Sequence, residues 1–179
     1  MGYSKRKCGK GRGMIRKTVE LADQTARTNA YIAQMNDDLQ TASQLQGMLF
    51  TAAQNSGTAC SEVVKTVGAL NASAGGTFSS NQEAVAFTEL MNKQFVASGT
   101  DQEDQSAVMG KLTAAMGEGV INTDMFSELE ARIPQIGTLL SNAFGIGQAE
   151  LDELIASGGL TAELFKNAML QSVFIQTAC

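Results

Sequence analysis

The sequence predicts an all-α fold: a compact multi-helix domain of short and medium helices, preceded by an N-terminal projecting or connecting helix. Three observations carry this. Apolar side chains return every three or four positions through most of the 179 residues, the period of one helix face. A single proline leaves long stretches without the residue that breaks helices. Short glycine-containing breaks separate the periodic segments, as helix stops do. With 44% apolar residues the chain can build a core, and its length suits one ordinary domain.

Along the chain, residues 1–14 read as a basic flexible leader and 15–36 as a connecting or oligomerising helix. In that helix Ile15, Val19, Ala22, Ala26, Ala30 and Ala33 make a thin stripe. At ~25 cal/mol per Å² such small side chains gain little from burial, so the helix is expected to project or to lean on a neighbouring chain. A second helix is predicted from about Asp38 to Gln54, with Ala42, Leu45, Leu49 and Ala52 on one face and a stop at Asn55-Ser56-Gly57. A third runs from about Ala59 to Asn71. There Cys60 shares a face with Val63, Val64, Val67 and Leu70 and reads as a small buried hydrophobe. The segment from Ala74 to Ser80 is a loop whose Phe78 is expected to plug the core.

Two capping boxes are predicted next, Ser80 with Glu83 and Thr100 with Glu103. The helices they open carry Ala84, Phe87, Met91 and Phe95 in one case and Val108, Leu112 and Met116 in the other. They read as antiparallel neighbours joined by Ala97-Ser98-Gly99, with Glu89, Asn92 and Lys93 off the buried face and the methionines filling the core. After Gly117-Glu118-Gly119 the helices shorten. Asn122 or Thr123 caps one through Arg132; Pro134 suits the first turn of the next, which buries Ile136, Leu139, Leu140, Ala143 and Phe144. A helix from about Gln148 to Ala156 stops at Gly158-Gly159. Thr161 then caps a last one with Phe165, Met169 and Val173 inward.

Several function classes are excluded or disfavoured. There is no histidine, which removes imidazole-based hydrolysis and the commonest metal ligand. Cys8, Cys60 and Cys179 are odd in number and far apart, unlike a disulfide framework or a zinc knuckle. The alternation of Gly9, Gly11 and Gly13 with Lys10 and Arg12 lacks the P-loop spacing, and Gly145 with Gly147 lacks the third glycine and strand of a dinucleotide site. Neighbouring carboxylates such as Glu128/Glu130 and Asp152/Glu153 diverge on a helix and read as solvated faces. No stretch approaches a membrane span, and no signal-peptide core follows the basic start. No catalytic residue, cofactor or metal is expected.

Charge is divided unevenly. Lys5, Arg6, Lys7, Lys10, Arg12, Arg16 and Lys17 precede the first acid, so the remainder carries a net −12 within an overall −5. These seven cations are the candidate polyanion contact; the acidic body repels phosphate.

The order of motifs resembles the tape-measure domain of tail tape measure proteins of long-tailed bacteriophages and prophages, over about Leu45 to Ser172. The resemblance runs through Met48-Leu49-Phe50, Val85 to Phe95 and Leu112 to Val120. It is densest in Phe126, Glu130, Ile133-Pro134, Phe144-Gly145-Ile146, Glu150-Leu151, Ala156 to Ala162 and Lys166 to Met169. Where the family often has a basic residue and paired glutamates, this chain has Ile121-Asn122-Thr123-Asp124. The resemblance assigns 37–179 to the tape-measure-like domain and implies a structural protein, not an enzyme. Its expected partners are other tape measure chains, the tail tube protein and tail assembly chaperones; its expected location is the virion tail lumen, after assembly in the host cytoplasm. Family members usually run for many hundreds of residues, so truncation at the C-terminus is expected. As one rod, 179 residues would span only about 270 Å, and the measuring length is expected to lie elsewhere. The other readings are a free-standing helical adapter binding through the alanine-striped helix, and a nucleic-acid binder using the leader.

Overall fold

The computed structural model describes residues 25–176, with side chains described as far as Ser172. The described residues form helices joined by short connections: α1 (25–34), α2 (Ala42–Ser56), α3 (Cys60–Ser73), α4 (Asn81–Ala97), α5 (Gln102–Glu118), α6 (Thr123–Arg132), α7 (Ile136–Phe144), α8 (Gln148–Ala156) and α9 (Ala162–Gln176). Among the described residues β pairing is limited to one isolated antiparallel bridge, Val120 with Thr161.

The helix ends show which local rules prevailed. Gly57, Gly119 and Gly145 close α2, α5 and α7 in the left-handed conformation, which a residue without Cβ adopts at little cost. Asn122 caps α6 by accepting the Met125 N–H, and Thr161 accepts the Leu164 N–H at the start of α9, as predicted. Both predicted capping boxes differ from expectation. Ser80 does accept the Glu83 N–H, but the Glu83 carboxylate turns to Ser79 and Lys166. At α5 the cap is Asp101, accepting from the Asp104 N–H, while the Thr100 hydroxyl donates to the Arg132 carbonyl. A complete box forms instead at Thr41 and Gln44, so α2 starts four residues later than predicted, after Asp38 takes φ 61°.

The core places α4 at the centre. It packs on α2 and α3 on one side and on α9 on the other. Its predicted stripe of Ala84, Phe87, Met91 and Phe95 is fully enclosed. So, against expectation, is Asn92, which accepts a hydrogen bond from the Gln105 amide; Asn81, Thr88 and Gln94 are buried too. α4 and α5 are not a side-by-side antiparallel pair: α3 lies against both, and α5 runs on to pack with α6 and α9. The reason is that α4 has buried residues on nearly all of its faces and needs more than one neighbour. Met91, Met109, Met116 and Met169 are core residues, as read from the sequence, and Met125 joins them. Buried hydroxyls on Ser56, Thr88, Thr113 and Ser172 donate to carbonyls three or four residues back in their own helices.

In α1 the side chain sealed against the domain is Ile32, whereas Ala26, Ala30 and Ala33 face outward. The Tyr31 ring lies on α3 where Gly68 has no side chain; a Cβ there would sit 2.0 Å from the tyrosine oxygen.

Candidate functional site

Charged and polar groups converge where α4 begins. Residues 74–80 cannot continue α3. They pass through Gly75, where a Cβ would lie 2.7 Å from the Asn71 carbonyl oxygen, and bring Phe78 inward as predicted. Its ring stands edge-on to Phe87 with centroids 5.5 Å apart, and Phe87 meets Phe165 of α9 at 6.1 Å. Over the Phe78 ring, 5.7 Å from its centroid, sits the Lys166 ammonium. This lysine is buried, donates to the Thr77 carbonyl at 2.8 Å, and pairs with Glu83 Oε1 at 2.9 Å. The other Glu83 oxygen accepts the Ser79 N–H at 2.7 Å and the Ser79 hydroxyl at 2.9 Å. Burial alone would raise the Glu83 pKa. The Ser79 backbone N–H, the Lys166 ammonium and the Ser79 hydroxyl outweigh it and hold the carboxyl below its ordinary 4.5.

A second carboxylate completes the junction. Asp37, between α1 and α2, accepts the first N–H of α4, that of Asn81, at 2.6 Å, so a negative group meets the positive end of that helix. Asn81 itself donates to the Met35 carbonyl and accepts from the Asn71 amide. Burial pulls the Asp37 pKa upward, but the N–H groups of Asn81 and Leu39 and the Gln40 amide bring it below 3.8. A shallow depression of about 290 Å³ between Met35, Gly75, Phe78 and Asn81 is the surface expression of this junction.

Chemically the junction is a staple. Both carboxylates and the ammonium are committed to protein partners, so their interactions hold the α1–α2 connection and the 74–80 loop to α4 and α9. Cys60, at the first turn of α3, is partly buried against the core and burial pushes its thiol above the usual 9.0. That makes it a poor nucleophile at neutral pH. Among the described residues no group of three or more His, Cys, Asp or Glu is placed to hold a metal ion, and no helix is long and apolar enough to cross a membrane. The seven leader cations, Lys5 to Lys17, lie outside the described residues.

The Lys166–Glu83 pair was invisible as a pair in the sequence, because its members are 83 positions apart and Glu83 had a ready local role as a cap partner. One signal existed: Lys166 sits between Ala162 and Met169 on the inward face of α9, where a charge needs a buried partner.

Two motif stretches that are distant in sequence also meet. The corner after α5 and the corner after α8 exchange backbone hydrogen bonds, Ile121 N–H to Leu160 O and Ala162 N–H to Gly119 O, both 2.9 Å. Fold and site together define a helical structural module whose charged groups hold elements in place. The chain belongs to the tape measure protein family: a family model of that description matches residues 16–174. Tape measure proteins are structural components of the virion tail, which places the chain in phage tail assembly. Comparison with curated proteins returns no match, nor does comparison with solved structures.

Proposed function

We propose that this chain takes part in setting tail tube length as a compact helical unit of a tape measure protein, the extended length being supplied elsewhere. Family membership over residues 16–174 carries this reading, supported by the interlocked glycine corners, which oppose full extension. In this reading residues 37–179 form the tape-measure domain, 15–36 connect it to other tape measure chains, and 1–14 lead it. The unit sits in the tail lumen after assembly in the host cytoplasm, against the tube protein and assembly chaperones. Its acidic body lets DNA pass without adhering. The leader, through Lys5, Arg6, Lys7, Lys10, Arg12, Arg16 and Lys17, is the segment that contacts polyanions, and its binding falls steeply with salt.

The test is electron microscopy of tails from a phage carrying this gene. Deleting residues 37–176 is expected to give no tails or tails of irregular length. Inserting a helical stretch of about 20 residues at the exposed Gly99 corner is expected to leave length unchanged, whereas a segment that measures as a rod would add about 30 Å. Uniform tails of normal length after the deletion would overturn the proposal.

A further inference from the structure

The three ion pairs that join different elements among the described residues all cross one boundary. Lys111 of α5 pairs with Glu128 of α6 at 2.6 Å, Asp104 of α5 with Arg132 of α6 at 2.9 Å, and Glu83 of α4 with Lys166 of α9 at 2.9 Å. The other two, Lys65 with Glu62 and Lys93 with Glu89, lie within single helices. Further polar contacts follow the same boundary: Gln135 to Gln94 at 2.9 Å and the Thr100 hydroxyl to the Arg132 carbonyl at 3.1 Å. On one side lie α1 to α5 and on the other α6 to α9, and α7 packs on both α8 and α9.

The chain crosses this boundary once, between Gly119 and Asn122, with Gly119 at φ 87°. At that crossing the two backbone bonds to Leu160 and Ala162 pin the start of α9 to the crossover itself. The ion pairs lie progressively farther away. Lys111 is about 12 Å and Asp104 about 22 Å along α5 from Gly119. At the far end are the two buried polar atoms that have no hydrogen-bond partner among the described residues, Ser98 Oγ and Arg132 Nε. A seam that leaves buried polar atoms unpaired is incompletely satisfied.

We infer that the module is a clasp: α1–α5 and α6–α9 part as two folded lobes about a pin at residues 119–122 and 160–162, held shut in part by charge pairs. Each lobe keeps its own intrahelical hydrogen bonds when they part, so opening is a sub-global step that precedes unfolding. Two of the three latching pairs are exposed and screened by salt. Ionic strength therefore shifts the open fraction, against the buried Lys166–Glu83 pair and the apolar contact of Phe87 with Phe165.

Distances between spin labels on the full chain test this, with one label at Ser43 on α2 and one at Glu153 on α8, both exposed, and the native cysteines changed to serine. Raising NaCl from 0.05 to about 1 M is expected to increase a second, longer-distance population by about two- to fivefold with unchanged helical circular dichroism. The surface variant Asp104→Asn with Glu128→Gln is expected to show that population already at low salt. A single distance under all conditions would overturn the clasp, as would longer distances that appear only together with loss of helix signal.

Discussion

Lys166–Glu83 and Arg132–Asp104 have the same length, 2.9 Å, and join the same two halves of the molecule, yet their surroundings are opposite. The Lys166 side chain is 6% exposed, set against an aromatic ring and a backbone carbonyl, whereas both side chains of the other pair are more than 40% exposed. In water an ion pair replaces interactions the solvent already supplied, and its net worth is small. In the interior each partner has given up its hydration, so removing one leaves the other stranded. The difference teaches that a list of ion pairs says little about stability until each is placed by depth.

Lys166→Met breaks the comparison most sharply. It leaves Glu83 without its ammonium, and a loss of about 3–5 kcal/mol is expected in chemical denaturation. Adding Glu83→Gln should return part of it. A second measurement sharpens the contrast through pH. Because the folded-state pKa of Glu83 is depressed, the unfolded chain binds the proton first on acidification. The contribution is complete above the ordinary value of 4.5 and is lost as pH falls through the folded value. Thermal unfolding should thus be insensitive to this group from pH 8 to 5 and weaken below, and Glu83→Gln should reduce that acid slope. The smallest effect belongs to Asp104→Asn: under about 0.5 kcal/mol at low salt and none at 1 M NaCl. A loss comparable to that of Lys166→Met would show that depth is not what separates the two pairs.

Much of the fold was legible in the sequence because it is written locally. Asn122, Thr161 and the glycine stops mark helix ends without reference to the rest of the chain. The stripes of α4 and α5 name core residues correctly. What the stripes omitted is the number of neighbours a helix has. Asn92 looks like an outer face in a linear reading, yet it is buried where the Gln105 amide of α5 donates to it, and Gln94 is buried where Gln135 does the same. The Thr100–Glu103 box failed for a related reason: Asp101 sits one residue later and competes for the same cap, while Arg132 offers Thr100 another acceptor. The alanine stripe of α1 reads as a face turned away from the domain, and Ala26, Ala30 and Ala33 are exposed; what the stripe does not reveal is that Ile32 and Tyr31 hold the helix to the domain. Of the junction at α4, the Phe78 plug was legible; the buried lysine was not, since no local rule couples positions 83 and 166.

The inward hydroxyls of Ser56, Thr88, Thr113 and Ser172 have a wider consequence. Each closes on its own turn, so it asks nothing of the helix opposite and carries no address for a particular neighbour. Matching between helices is left to a few amides, Asn92 with Gln105 and Asn71 with Asn81, and to ion pairs such as Lys166 with Glu83. Evolution can exchange the remaining interior side chains for others of equal bulk and keep this architecture, so sequences can drift far apart while the shape they encode persists.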